Sequence, residues 1–222
     1  AYDYPTAKQI NDAGIDMILV GDSCAMVVHG HPNTLNATMD MMVLHCAAVA
    51  RGCPRTMVIA DMPFGSFQYS IEETMRNAAR FVTEAKVDGV KFEATPNHIE
   101  KTKAIVEMGI AVVGHVGLHP QAVGALGGLK VQGKDVDTAR KVVSEALALL
   151  EAKGLTRAIM VDCSHDNSKK KHALQKSVWQ DVINQRLDGN DAIIGMMLES
   201  HLKAGNQKNT GDLDTMQYGV SI

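Results

Sequence analysis

Six short apolar runs recur along this chain of 222 residues, and segments with helix signals separate them. The runs are Met17–Val20, Met57–Ala60, Val90–Phe92, Ile110–Val113, Ala158–Val161 and Ile193–Leu198. Continuous apolar runs of this length are typical of strands that are buried on both faces. Repeated strand–helix units place such strands in parallel, with the helices as crossovers. The pattern therefore predicts an α/β fold, either a doubly wound sheet or a (β/α)8 barrel.

Helix boundaries are indicated between the runs. Ser70 and Glu73, and likewise Asn97 and Glu100, have the spacing of a capping box. Over residues 137–153, apolar side chains recur at helical spacing. These signals predict helices that begin after Ser70 and after Asn97, and a third helix over 137–153.

An ionisable side chain comes at the end of each apolar run. These residues are Asp22, Asp61, Glu93, His115, Asp162 and Glu199. A barrel gathers the carboxyl ends of its strands around one mouth, whereas an open sheet spreads them along a line. The pattern therefore favours a (β/α)8 TIM barrel that occupies residues 1–222 as a single domain. Six strands are clear and residues 1–3 are a candidate for the end of a seventh, so we expect an incomplete or hybrid barrel.

Composition narrows the range of partners. The chain has 22 Lys and Arg against 25 Asp and Glu, and 4% aromatic residues, so we expect no nucleic acid partner. No apolar run approaches the ~20 residues of a membrane helix, so we expect no membrane partner. Four cysteines without a C-x-x-C pair indicate buried thiols in a reducing compartment, the cytoplasm or an organelle matrix. The open strand edges of an incomplete barrel predict a homo-oligomer.

Three carboxylates among the strand-end residues form a candidate metal site. Asp22, Asp61 and Glu93 offer hard oxygen ligands, which suit Mg²⁺ better than Zn²⁺. Lys91 interrupts an apolar run, and a buried lysine needs a partner or a ligand. His115 is either a substrate-binding residue or a hydrogen-bonded core histidine, and the sequence leaves both open.

Six motifs surround these residues. They are AYDYPTAK from Ala1, ILVGDS from Ile18, ADMPFGS from Ala60, VKFE from Val90, GHVGLHPQ from Gly114 and GGLKVQG from Gly127. On these motifs residues 1–153 resemble the ketopantoate hydroxymethyltransferase (3-methyl-2-oxobutanoate hydroxymethyltransferase) family. The resemblance implies a (β/α)8 barrel enzyme of pantothenate biosynthesis. We expect the glycine-rich motif from Gly127 to form a loop over the barrel mouth.

The same resemblance implies a one-carbon transferase with aldol-type C–C bond formation. Asp22 and Asp61 are implied to hold Mg²⁺ and the 2-oxo acid bound to it, and Glu93 to reach the ion directly or through water. Ser23 and Lys91 would bind 3-methyl-2-oxobutanoate, with His115 nearby. The enolate of this acid would attack the one-carbon unit of 5,10-methylenetetrahydrofolate and give 2-dehydropantoate.

The proton acceptor of that family is a glutamate, and Asp162 takes its place in this chain. The shorter side chain withdraws the carboxylate, and a misplacement of about 1 Å can cost ~10²-fold in rate. We therefore expect impaired activity if Asp162 is the base. The alternative is that Asp162 belongs to a motif of another family and has no base role.

The last third of the chain follows a different pattern. Its motifs are VDCSHDNS from Val161, AIIGMMLESHLKAGNQ from Ala192 and YGVSI from Tyr218, and they resemble the C-terminal part of 3-deoxy-D-arabino-heptulosonate-7-phosphate synthase. We interpret the chain as a hybrid of two barrel families, 1–153 and 154–222, joined near Gly154. His165 and Glu199 match two metal ligands of the second family, but its early Cys motif and its phosphate-binding segments are not found. A fragment of that synthase and a catalytically inactive hybrid barrel are the alternative functions.

Overall fold

A computed structural model describes residues 1–122, 135–151, 158–201, 203–205, 207 and 213–220. The glycine-rich motif from Gly127 and the predicted junction at Gly154 lie outside the described residues. Internal contacts divide the chain into two compact units, Ala1–Lys153 and Gly154–Ile222. Each unit is described by itself, and the predicted single domain over 1–222 stays a prediction.

The first unit is a parallel α/β structure. Its elements are α1 (Tyr4–Asp12), β1 (Met17–Val20), α2 (Cys24–Val27), α3 (Met39–Gly52), β2 (Met57–Asp61), α4 (Ile71–Ala85), β3 (Gly89–Glu93), α5 (Ile99–Glu107), β4 (Ala111–His115) and α6 (Val136–Glu151). The four strands form one sheet in the order β1-β2-β3-β4, and every neighbouring pair is parallel. The predicted α/β fold with parallel strands is confirmed, whereas a closed barrel stays a prediction.

The core of this unit lies between the sheet and the helices around it. The largest fully buried side chains include Phe67, Phe81, Phe92, Met42 and Ile59. β2 and β3 are almost wholly buried, as their continuous apolar runs predict. Burial of this apolar surface holds the strand ends in place, because a shift of one strand would expose these side chains.

Helix caps agree with the sequence at one predicted position and differ at another. The Ser70 side chain accepts a hydrogen bond from the Glu73 amide at 3.1 Å, so α4 begins where its capping box predicts. The start predicted after Asn97 differs by one residue, because α5 begins at Ile99 with His98 as its N-cap. A 3₁₀ turn at Pro96–His98 precedes α5, because Pro96 lacks an N–H and its fixed φ suits a first helical position.

The sheet brings the predicted strand-end residues to one edge. In the parallel register Asp61 lies opposite Lys91, and Glu93 lies opposite His115. Residues 1–3 form no strand, and the ammonium group of Ala1 donates to the carbonyl oxygen of Leu19 at 3.1 Å. The candidate seventh strand is therefore wrong.

The second unit is smaller. Its described elements are β5 (Ile159–Asp162), α7 (His172–Leu187), β6 (Ile193–Met197) and a 3₁₀ turn at Leu213–Thr215. β5 and β6 pair in parallel. Its buried apolar cluster consists of Cys163, Val182 and Ile193. Asp162 is the last residue of β5, and Glu199 follows β6, so the second unit repeats the pattern of ionisable residues at strand ends.

The buried cysteines meet a further expectation. All four cysteines, at positions 24, 46, 53 and 163, are buried free thiols. Among the described helices, none combines the length and the apolar character that a membrane span needs.

The close packing of β3 against β4 yields a stability prediction. Gly89→Ala places a Cβ 2.7 Å from the carbonyl oxygen of Ala111 and 3.1 Å from Ile59 Cδ1. We expect a loss of about 1–3 kcal/mol, measured by urea unfolding with far-UV circular dichroism, because β3 must move away from β4. Gly195→Ala in β6 is the control, since its Cβ meets the flexible end of Met160 at 3.2 Å. Equal losses in the two variants would contradict the prediction.

Candidate active site

Three carboxyl groups lie at the carboxyl ends of adjacent strands in the first unit. Asp22 follows β1, Asp61 ends β2 and Glu93 ends β3. Their exposed fractions are 8%, 5% and 7%. The parallel sheet explains this arrangement, because all its strands end at the same edge. We call these three residues the carboxylate cluster.

Asp61 is held by a charged partner and by the backbone. Lys91 Nζ donates to Asp61 Oδ1 at 2.5 Å, and the Asp22 amide donates to Asp61 Oδ2 at 3.3 Å. The Lys91 side chain is 17% exposed. The partner that a largely buried lysine needs is therefore Asp61, which lies directly across the sheet.

Gln121 connects the other two carboxylates. Its side-chain amide donates to Asp22 Oδ2 at 2.9 Å and to the carbonyl oxygen of Met62 at 3.0 Å. Its backbone amide donates to Glu93 Oε1 at 2.7 Å. A 3₁₀ turn at Pro120–Ala122 places Gln121 in this position. Gln121 thus forms hydrogen bonds at the carboxyl ends of β1, β2 and β3.

A second glutamine sets the orientation of the first. Gln68 Nε2 donates to Gln121 Oε1 at 3.3 Å, and Gln68 Oε1 accepts from the backbone amides of Gly65 and Phe67. Because the Gln121 oxygen accepts from Gln68, its NH₂ group is directed to Asp22. Sequence analysis missed both residues, since a neutral side chain beyond a strand end gives no charge signal. Gln121 is, however, the last residue of the GHVGLHPQ motif.

The carboxylate cluster carries excess negative charge. Burial raises the pKa of Asp22 to about 6, and the negative charge of Asp61 adds to this rise. Burial also raises the pKa of Glu93 to about 7, with smaller contributions from Asp22 and Asp61. Lys91 is the positive group whose charge opposes these shifts in both residues. A cation bound here would lower the cost of ionising Asp22 and Glu93.

The donor chemistry fits a hard cation. Mg²⁺ usually binds through one or two carboxylates and keeps several waters. Among the described residues, no three His, Cys, Asp or Glu side chains are arranged to enclose an ion. A fully protein-ligated site is thus not formed there, but Mg²⁺ does not need one. The fit rests on buried carboxylate oxygens, and burial raises the pKa values of Asp22 and Glu93.

Two further predicted site residues border the cluster. Ser23 Oγ shares a hydrogen bond with the Tyr2 hydroxyl at 2.9 Å. Gly21 leaves room for this arrangement, because a Cβ there would lie 2.9 Å from Ser23 Oγ. His115 packs against His119, with ring centroids 5.6 Å apart, and the carbonyl oxygen of His115 accepts from His119 Nε2 at 2.9 Å. Substrate binding by Ser23 and His115 stays a prediction.

Asp162 lies in the second unit, where it pairs with a histidine. Asp162 Oδ2 lies 2.6 Å from His165 Nδ1, and Asp162 Oδ1 accepts from the Ser164 amide at 2.8 Å. The other ring nitrogen of His165 lies 3.4 Å from Glu199 Oε2. The hydrogen bond with Asp162 is the main cause of a raised pKa at His165. His165 and Glu199, which the sequence matches to the second family, are thus neighbours. Asp162, at the end of β5, contacts the other side of the His165 ring.

Two family models match the chain. The first, described as ketopantoate hydroxymethyltransferase, matches residues 1–172. The second, described as the DAHP synthetase I family, matches residues 129–222. The matches overlap on both sides of the predicted junction. The first match confirms the first resemblance, and the second is weaker support for the other.

Named relatives match the first two-thirds of the chain. A protein of Oryza sativa subsp. japonica named 3-methyl-2-oxobutanoate hydroxymethyltransferase 1, mitochondrial, is 54% identical over 153 residues, which are 68% of this chain and 42% of that protein. The protein named 3-methyl-2-oxobutanoate hydroxymethyltransferase from Alkaliphilus metalliredigens (strain QYMF) is 51% identical over 152 residues, 68% of this chain and 54% of that protein. The chain therefore spans about half the length of these relatives.

Solved structures share the fold. The crystal structure of 2,3-dimethylmalate lyase, described as a PEP mutase/isocitrate lyase superfamily member, has a TM-score of 0.54 and 17% identity. The alignment covers 100% of this chain and 72% of that structure's chain. At this identity the similarity supports the α/β fold alone.

The raised pKa of Glu93 predicts a pH-dependent stability in metal-free protein. A carboxyl whose folded pKa lies above its unfolded value stabilises the fold below the unfolded pKa, and that stabilisation is lost as pH rises through about 7. Glu93→Gln keeps the acceptor for Gln121 but cannot ionise. We therefore expect this variant to gain on the order of 1–2 kcal/mol relative to wild type between pH 5 and pH 8.

Urea unfolding in EDTA at both pH values measures this gain. Glu72→Gln, which changes an exposed glutamate outside the cluster, is the matched control. A difference between Glu93→Gln and wild type that is the same at both pH values would show that Glu93 does not ionise in this range.

Proposed function

Because the chain belongs to the ketopantoate hydroxymethyltransferase family, we propose that it transfers a hydroxymethyl group from 5,10-methylenetetrahydrofolate to 3-methyl-2-oxobutanoate in the presence of Mg²⁺. The observation that carries the proposal is the carboxylate cluster with Lys91 on Asp61 and Gln121 between Asp22 and Glu93. The product is 2-dehydropantoate, a precursor in pantothenate biosynthesis.

The cluster supplies the oxygen atoms for the ion. Asp22 and Asp61 are the proposed direct ligands, and Glu93 binds directly or through a water molecule. Gln121 engages Asp22 Oδ2 and Glu93 Oε1, and so fixes the orientation of both carboxyl groups. When bound, Mg²⁺ polarises the ketone of the oxo acid and makes the adjacent C–H more acidic.

Lys91 and Ser23 supply the polar groups for the oxo acid. The substrate is an anion, and a buried cluster of carboxylates alone would repel it. Lys91 brings a positive charge to this edge of the sheet, and the Ser23 hydroxyl follows Asp22 directly. His115 lies opposite Glu93 in the register and completes the proposed set.

Asp162 is the proposed base for proton removal from the oxo acid. This role comes from the sequence alone. In its own unit the Asp162 carboxylate accepts from the Ser164 amide and pairs with His165, so its two oxygens are held in fixed positions. A fixed carboxylate with a short side chain is consistent with the impaired activity that the sequence predicts. The homo-oligomer and the cytoplasmic or organelle-matrix location stay predictions from the sequence.

Proton exchange tests the proposed half-reaction without folate. The chain is mixed with Mg²⁺ and 3-methyl-2-oxobutanoate in D₂O, and NMR follows the loss of the β-carbon proton signal. We expect exchange above the protein-free rate, and at least about a tenfold lower rate in Asp61→Asn, which loses both the proposed ligand charge and the Lys91 ion pair. Asp40→Asn is the matched control, because Asp40 pairs with Arg80 outside the cluster.

The outcomes separate the candidate functions. Absence of exchange in folded protein with Mg²⁺ present overturns the transferase proposal and favours the inactive hybrid barrel. Consumption of phosphoenolpyruvate with erythrose 4-phosphate would instead favour the heptulosonate-phosphate synthase alternative.

The base assignment predicts an unusual gain of function. Asp162→Glu restores the missing methylene, so we expect the exchange rate to rise by up to ~10²-fold, whereas Asp162→Asn should fall to the background rate. If Asp162 serves only as the partner of His165, the longer side chain disturbs the 2.6 Å contact and gives no gain. The ratio of the exchange rates of Asp162→Glu and Asp162→Asn in the same NMR assay therefore decides whether Asp162 is the base.

A further inference from the structure

Two histidines of the first unit form a close pair that has no part in the proposed reaction. His29 follows α2, and His45 lies within α3. Their Nε2 atoms are 2.8 Å apart, and the rings meet edge to face at 77°. His29 is exposed and His45 is partly buried. The pair therefore has an open side toward solvent.

A backbone contact fixes the tautomer of His45. Its Nδ1 lies 2.7 Å from the carbonyl oxygen of Tyr2. A carbonyl oxygen only accepts, so His45 Nδ1 carries the proton, and in the neutral ring the lone pair is on Nε2. That lone pair faces His29. Metal-binding histidines are typically oriented by such a bond from the other ring nitrogen to a backbone carbonyl.

The spacing is close to that of two ligands on one ion. Zinc lies about 2.0–2.1 Å from a histidine nitrogen, so two nitrogens on a tetrahedral ion are about 3.3 Å apart. The observed 2.8 Å is the distance of a hydrogen bond, and a side-chain movement of about 0.5 Å reaches the metal geometry. His29 is exposed, so its ring can make this movement.

We propose that His29 and His45 form a binding site for a transition-metal ion of the Zn²⁺ class. Imidazole nitrogen suits such ions, whereas Mg²⁺ prefers the oxygen atoms of the carboxylate cluster. The ion replaces the proton between the rings. Two neutral rings release no net proton, because His29 moves its own proton from Nε2 to Nδ1.

The site is an open one. Among the described residues no group of three His, Cys, Asp or Glu is arranged for an ion, so water fills the other coordination positions. Two protein ligands make the ion exchangeable rather than permanently bound. Tyr2 also connects this pair to the Ser23 region, since its carbonyl binds His45 and its hydroxyl binds Ser23. Bound metal is thus expected to stabilise the N-terminal segment.

Calorimetric titration with Zn²⁺ tests the site in the full chain after EDTA treatment and with Mg²⁺ present. We expect the affinity for one Zn²⁺ equivalent to fall at least about tenfold in His29→Ala and in His45→Asn. The asparagine amide can still donate to the Tyr2 carbonyl but offers no Nε2 ligand. Circular dichroism melts without zinc show that both variants fold.

Two control variants show which histidines bind the zinc ion. His31→Ala removes a neighbouring ring, 6.5 Å from that of His29 by centroids, and should keep the wild-type affinity. His165→Ala removes the histidine between Asp162 and Glu199 and should keep it too. Wild-type zinc affinity in His29→Ala or in His45→Asn would overturn the proposal. Loss of the same equivalent in His165→Ala would also overturn it, because the ion would then belong to that histidine.

Discussion

The burial of like charges at one edge of a parallel sheet is the constraint on which the candidate site depends. Three carboxyl groups lie at neighbouring strand ends with almost no exposure, and nearby negative charge adds to the burial that raises the pKa values of Asp22 and Glu93. A lysine on the neighbouring strand neutralises one of them directly. An arrangement of this kind is weak evidence for stability and stronger evidence for binding, because apolar residues would fill the same space at lower cost.

Neutral hydrogen-bond donors bind the two carboxyl groups that Lys91 does not pair with. Gln121 donates to two different carboxyl groups through its side chain and its backbone, and Gln68 holds it in the required orientation. The two amide groups of Gln121 lower the cost of a negative charge on Asp22 and Glu93 without adding a positive charge. The cluster thus keeps fixed oxygen positions while it retains the excess negative charge that a divalent cation needs.

The second unit places a separate set of polar residues at the ends of its two strands. His165 lies between Asp162 and Glu199, and the Ser164 hydroxyl accepts from the Glu199 amide at 2.8 Å. The matches to two family models overlap across residues 129–172, and the predicted junction near Gly154 lies within this range. The first unit carries the strand-end residues that the sequence predicts for the metal and the oxo acid, and the second carries Asp162, which the sequence predicts in place of the base.

The sequence by itself determined the six apolar strands, their parallel orientation and the residues at their ends. Apolar runs specify buried strands, and an ionisable residue after such a run must lie where the strand leaves the core. It also determined the start of α4, because Ser70 and Glu73 act within one turn. The tertiary structure decided which side chains meet. Gln121 is 99 residues from Asp22 in sequence and yet binds its carboxylate, and no local pattern encodes that distance. The same holds for His29, which follows α2, and His45, which lies within α3, because the two become neighbours only in the folded first unit. Local patterns fix what each segment becomes, whereas contacts between distant segments arise only when the whole sheet and its helices are in place.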